Sequence, residues 1–107
     1  MLNQVILVGR IVELKPDKGI RIAIPRSYKN EEGVYDTDTL TVFMQGVMLD
    51  NTVQYCSKGD LVGIKGRLQE DSKSHSPKII ADKLTFLSSQ SVNSNTDASN
   101  REEEDDE

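Results

Sequence analysis

The side chains able to do covalent chemistry are few and badly placed for it. Cys56 is the single cysteine and His75 the single histidine. The first falls in a helix-periodic apolar stretch and the second in a polar loop, so neither a Cys/His pair nor a metal-ligand cluster can be assembled. The carboxylates sit on turns and strand exteriors, without the apolar setting that lifts a carboxyl pKa for acid–base work. Neither a P-loop nor a dinucleotide-binding glycine fingerprint occurs. No enzyme activity, cofactor or metal is therefore expected. What remains is non-covalent. Arg10, Arg26, Lys29, Lys58, Lys65 and Arg67 are each an ordinary surface charge when taken alone. Gathered on strand ends and loops of one small body, they would neutralise a few phosphates with release of counterions. Tyr28, between Arg26 and Lys29, reads by itself as a half-buried strand tyrosine.

These residues are carried by strands. Val5-Ile6-Leu7-Val8 and Ile11-Val12 are rich in β-branched side chains, and a first strand is expected over 3–14. Lys15 to Gly19 reads as a turn. Ile20, Ile22 and Ile24 alternate with polar or small residues along a second strand, and Pro25, which cannot donate to a ladder, suits an edge or a strand end. After a polar hairpin tip at Asn30 to Gly33, a third strand spans about 34–45, with Leu40, Val42 and Met44 on one face. Leu49, Val53 and Cys56 fall on one helical stripe, and Lys58-Gly59 reads as the stop signal. A fourth strand over 60–69 and a fifth over 78–87 follow, with Ile80, Leu84 and Phe86 as candidate core. Phe43 reads as core or a subunit contact, and Tyr55 as packing. Gly9, Gly63 and Gly66 interrupt the first and fourth strands, where a barrel corner or a bulge is expected. Three strands, one short helix, then two strands is the order of the OB-fold, so the fold class is all-β: a five-stranded, partly open barrel.

The charge is split. Residues 1–87 carry 12 lysines and arginines against 11 acids, while 88–107 carry Arg101 against seven acids. The second segment, SSQSVNSNTDASNREEEDDE, has too little apolar surface to offset the entropy of ordering. It is expected to be a disordered linker and acidic tail behind a single domain at 1–87. A lone cysteine, no leader pattern and no membrane-length apolar run point to a cytoplasmic protein without a membrane partner.

Three stretches together, MLNQVILVGRI, SYKNEEGVYDTD and TVQYCSKGDLVGIKGRLQ, resemble bacterial single-stranded DNA-binding proteins over about residues 1–69 and more loosely over 78–87. The resemblance implies an OB-fold that binds single-stranded DNA without sequence preference, usually as a homotetramer, in replication, recombination and repair. It places Tyr28 at a base-stacking position and gives Lys29 and Lys58 the best positional support as basic ones; Arg10, Arg26, Lys65 and Arg67 complete the set from the reading of the residues themselves. The acidic end Glu102, Glu103, Glu104, Asp105, Asp106 and Glu107 corresponds to the segment that docks replication and repair proteins. It is equally suited to folding back on the protein's own groove, or to serving only solubility.

Departures from the pattern are specific. Thr39 and Gln45 stand where the family often has aromatic residues, and the turn at Glu70 to Pro77 lacks a ring and arginines. The tail ends without a proline and terminal aromatic. These losses keep a second reading open, an OB-fold module that mainly binds a replication or primosome protein. RNA binding is a third, because stacking alone does not distinguish the sugars.

Overall fold

The computed structural model describes residues 1–89. The expected acidic tail, including Glu102 to Glu107, lies outside the described residues. Five strands and a helix follow in the order β1 (Val5–Lys15), β2 (Gly19–Lys29), β3 (Tyr35–Phe43), α1 (Gly46–Tyr55), β4 (Leu61–Glu70) and β5 (Pro77–Ser88). They close into a barrel with neighbour order β1-β2-β3-β5-β4, the OB-fold expected from the sequence. All pairings are antiparallel except β3 with β5, which touch through Val42 opposite Ile79 and Phe43 opposite Ile80 alone.

The alternation read from the sequence is what fills the barrel. Ile20, Ile22, Val42, Val62, Ile11 and Ile64 are fully buried, with Met44, Leu49, Cys56 and Ala81 around them. Fully burying one such aliphatic side chain contributes ~1.5–3 kcal/mol. Of the glycines that interrupt β1 and β4, two mark where strands crowd. A Cβ on Gly66 would lie 2.1 Å from the Ile80 carbonyl oxygen, and one on Gly9 2.8 Å from that of Ala23. Gly63 has ordinary room, 3.7 Å from Leu87 Cδ1.

Three expectations are corrected, after one is narrowed: of an edge and a strand end, Pro25 takes the edge. Pairing with β1 stops at Ala23, so beyond it β2 is held only by β3 and tolerates a residue without an N–H. The two strands project past the barrel as a ribbon, residues 25–38. Phe86 is 50% exposed; register shifts in β4–β5 leave Ala81 as the buried residue of β5 and Ile79 and Leu84 packed on the core. Tyr55 is 71% exposed, because the buried side of α1 is Leu49 and Thr52. The helix ends at Tyr55 with Cys56 in extended conformation, three residues before Gly59.

Those three residues form a turn sewn to β1. The buried Asp60 carboxylate accepts from the Ser57 N–H at 2.8 Å. Ile11 donates its N–H to the Asp60 carbonyl at 2.9 Å and accepts from the Gly59 N–H at 2.7 Å. At the other end of β1, the Asn3 side chain extends the ladder. It donates to the Leu68 carbonyl at 2.7 Å and accepts from the Leu68 N–H at 2.9 Å.

Candidate nucleic-acid interface

Alternation along β3 puts Tyr35, Thr37, Thr39, Thr41 and Phe43 on its outer face, since Leu40 and Val42 point inward. Register extends this face sideways. Thr39 lies opposite Ala23, which lies opposite Arg10, and Tyr35 lies opposite Lys29. Arg10 Nη1 donates to the Gly59 carbonyl at 2.9 Å, which places it over the turn that carries the exposed Lys58. One outer face therefore carries Arg10 and Lys58 near Thr39 and, four β3 residues or ~13 Å further along the strand, Lys29 beside Tyr35, with a ring at each end of the threonines.

Each ring has a cation above it. Lys29 Nζ is 5.8 Å from the Tyr35 centroid and Lys78 Nζ is 5.2 Å from that of Phe43, within cation–π range. Between β3 and the β4–β5 turn runs an open groove of about 480 Å³, bordered by Thr39, Thr41, Phe43, Ser76 and Lys78. The turn is held by Asp71, whose carboxylate accepts from the Ser74 N–H, the Ser74 hydroxyl and the Lys73 N–H at 2.9–3.1 Å. These bonds, with smaller help from Lys78, hold Asp71 below the ordinary carboxylate pKa.

The remaining sequence candidates are distributed differently. Tyr28 is 63% exposed and lies on the ribbon, in the stretch where β2 slips against β3. Arg26 is engaged with two acids. Its Nε lies 3.3 and 3.2 Å from the Asp38 oxygens, its Nη2 2.9 Å from Oδ1, and its Nη1 3.7 Å from Asp36. Hydrogen bonding and charge from Asp38, then the nearby Tyr28, raise the Arg26 pKa, and Arg26 in turn lowers that of Asp38. Lys65 stands opposite Ile6 on β1 and opposite Lys83 on β5, four β1 residues from the position of Arg10, ~13 Å along the strand. Arg67 is ion-paired with Asp82, and borders a cavity with Phe43, Lys78 and Gln45. Burial, then Asp60, raises the Cys56 thiol pKa, which is the opposite of what a reactive thiolate needs.

Lys78 and Phe43 were missed as site candidates from sequence. Phe43 alternates with core residues, and nothing local signals that β5 runs beside it to put a lysine over its ring. Comparison with known proteins shows the family of the chain. The model of the single-strand binding protein family matches residues 2–87. The chain belongs to that family. "Single-stranded DNA-binding protein B" of Bacillus subtilis is 32% identical over 104 residues, covering 81% of this chain and 91% of the relative. "Single-stranded DNA-binding protein 3" of Clostridium acetobutylicum is 30% identical over 117 residues, covering 94% and 81%. A Plasmodium falciparum SSB solved as a complex with ssDNA superposes with TM-score 0.61 at 20% identity, over 81% of this chain and 96% of that one. The Thermus aquaticus single-stranded DNA-binding protein gives TM-score 0.64 at 20% identity, over 84% and 52%. Among the described residues no helix is long and apolar enough to cross a membrane.

Proposed function

We propose that this protein binds single-stranded DNA without sequence preference, as a binding protein and not an enzyme, in replication, recombination and repair. The observation that carries the reading is the family match over residues 2–87. The geometry suits it. Lys29, Arg10 and Lys58 line a surface that the strand's phosphates would follow, while Tyr28, Tyr35 and Phe43 offer faces to bases. A stacked base is worth ~1–3 kcal/mol by alanine substitution, whatever its identity. Lys65 and Arg67 would serve a second segment of a wrapped strand.

Oligomerisation, a homotetramer by family resemblance, is part of the proposal. Ile6 and Val8 on β1 and Leu87 on β5 are exposed around Gly63, an apolar strip that a second copy would cover. The acidic end Glu102 to Glu107 would dock replication and repair proteins, or compete with DNA for the cationic surface.

The test is titration of oligo-dT at several salt concentrations with the full chain and with a chain ending after Ser89. Affinity should fall with salt, and the shorter chain should bind more tightly. Absence of binding by either chain at low salt refutes the proposal and favours the protein-interaction module. Sedimentation of the full chain beside an Ile6→Glu variant tests the assembly, which should dissociate in the variant.

A further inference from the structure

We propose that Arg26 is a positioning residue for Tyr28 and not a phosphate contact. The inference rests on the single-strand reading above and changes the role that the sequence gave to this arginine.

The ribbon has a defect. Its backbone register jumps from Pro25 opposite Thr37 to Lys29 opposite Tyr35. Arg26, Ser27 and Tyr28 thus face the single residue Asp36, and the regular ladder does not hold Tyr28 in place. A bulge of this kind re-aims a side chain but leaves the local backbone under-restrained. The guanidinium spans this gap. It is forked onto Asp38, with Asp36 beside it, so it ties the bulged stretch of β2 to the regular strand β3. A two-pronged arginine–carboxylate pair fixes orientation as well as distance. Both acids occupy even-numbered positions of β3, opposite in face to Tyr35 and Thr39, so Arg26 reaches away from the surface that carries Lys29 and Arg10.

The charge pattern agrees. The ribbon from Arg26 to Asp38 holds two cations against four carboxylates. Its one fully committed cation is Arg26, and a phosphate could take it only by displacing Asp38. Freeing Arg26 should then strengthen binding if it meets DNA, and weaken binding if it holds Tyr28.

Full-length protein and Arg26→Ala, Tyr28→Ala, the double variant, Asp38→Asn and the charge-swapped Arg26→Asp/Asp38→Arg chain would be titrated with oligo-dT across a salt series. Circular dichroism would check each fold, since the ribbon lies outside the core. Tyr28→Ala should lose roughly 5- to 150-fold, the range for one stacked base. The double variant should be no weaker than Tyr28→Ala within about two-fold. Arg26→Ala and Asp38→Asn should both weaken binding without changing the salt slope, and the swapped chain should recover affinity. A slope lower by about 0.7 in Arg26→Ala, tighter binding by Asp38→Asn, additive losses or no recovery by the swap each overturn the proposal while leaving single-strand binding intact. Wild-type binding with Tyr28→Ala unchanged overturns it too. Failure of the wild type to bind at all removes it together with the function.

Discussion

Replacing Gly66 by alanine tests how tightly the barrel is closed. The added Cβ would sit 2.1 Å from the Ile80 carbonyl oxygen, 3.0 Å from its carbon and 3.2 Å from Ala81 Cα. All three are backbone atoms of β5, so no rotamer change relieves the contact. The strands must part by more than ~1 Å to reach van der Waals separation. Five register pairs follow in sequence, from Gly66–Ala81 to Glu70–Pro77, and they hold Ile79 and Ala81 against the core. Reduced freedom of the unfolded chain favours alanine by ~0.4–1 kcal/mol. Overpacking costs ~1–3 kcal/mol, and each weakened backbone bond about 1 kcal/mol more. The net expectation is a loss of ~2–4 kcal/mol, a fall of about 10–30 °C in Tm for a domain of this size. Urea and thermal unfolding followed by circular dichroism read it directly. Gly63→Ala, whose Cβ would meet Leu87 Cδ1 at an ordinary contact of 3.7 Å and no backbone atom closer than 4.0 Å, should shift stability by less than ~1 kcal/mol. Equal stability of the two variants would refute the reasoning, because only the distance to the neighbouring backbone separates them.

Three further outcomes are expected. Glu31→Gln with Glu32→Gln, at a ribbon tip that carries more acids than bases, should tighten oligo-dT binding about two- to five-fold at low salt and little at high salt, where surface charges are screened. Asp71 has a folded pKa below its unfolded value of about 3.9, through bonds from Ser74 and Lys73. The stability it contributes is present above that unfolded value and is lost as pH falls through the lower, folded one. Thermal midpoints measured from pH 7 to pH 2 should therefore drop below pH ~4, less steeply in Asp71→Ala, which starts from a lower midpoint at pH 7; parallel curves would contradict this. Asn3→Ala removes both bonds to Leu68 and should cost ~0.5–1.5 kcal/mol, with faster hydrogen exchange at the Leu68 amide.

Strand content, core and family were legible in the chain because they rest on local pattern. Ile20, Ile22, Leu40 and Val42 alternate with polar residues, and burial of one face of a pleated strand requires that period of two. The helix was legible from Leu49 and Val53 in the same way, although its end was not, because Cys56 turns extended to meet the β1-bound turn at Gly59 and Asp60. Tyr28 and Lys29 were put forward only through resemblance to relatives.

Juxtaposition was decided by the tertiary structure. Pro25 reads as an edge or a strand end, and the tertiary structure decides for the edge, because by that point β1 has departed and no ladder bond to it is asked. Phe86 alternates like a core residue, yet the shifted register of β4–β5 leaves it half exposed. Arg26 reads as one more cation for phosphates, and only the fold shows Asp38 and Asp36 beside its guanidinium. Lys78 came to lie over Phe43 only because β5 returns beside β3 through two residue pairs. A sequence determines which face of each strand seeks the core, since that preference acts over neighbouring residues. Which strands then lie side by side, and with what offset, depends on contacts between residues far apart in the chain, and those contacts brought the rings and cations of this surface together.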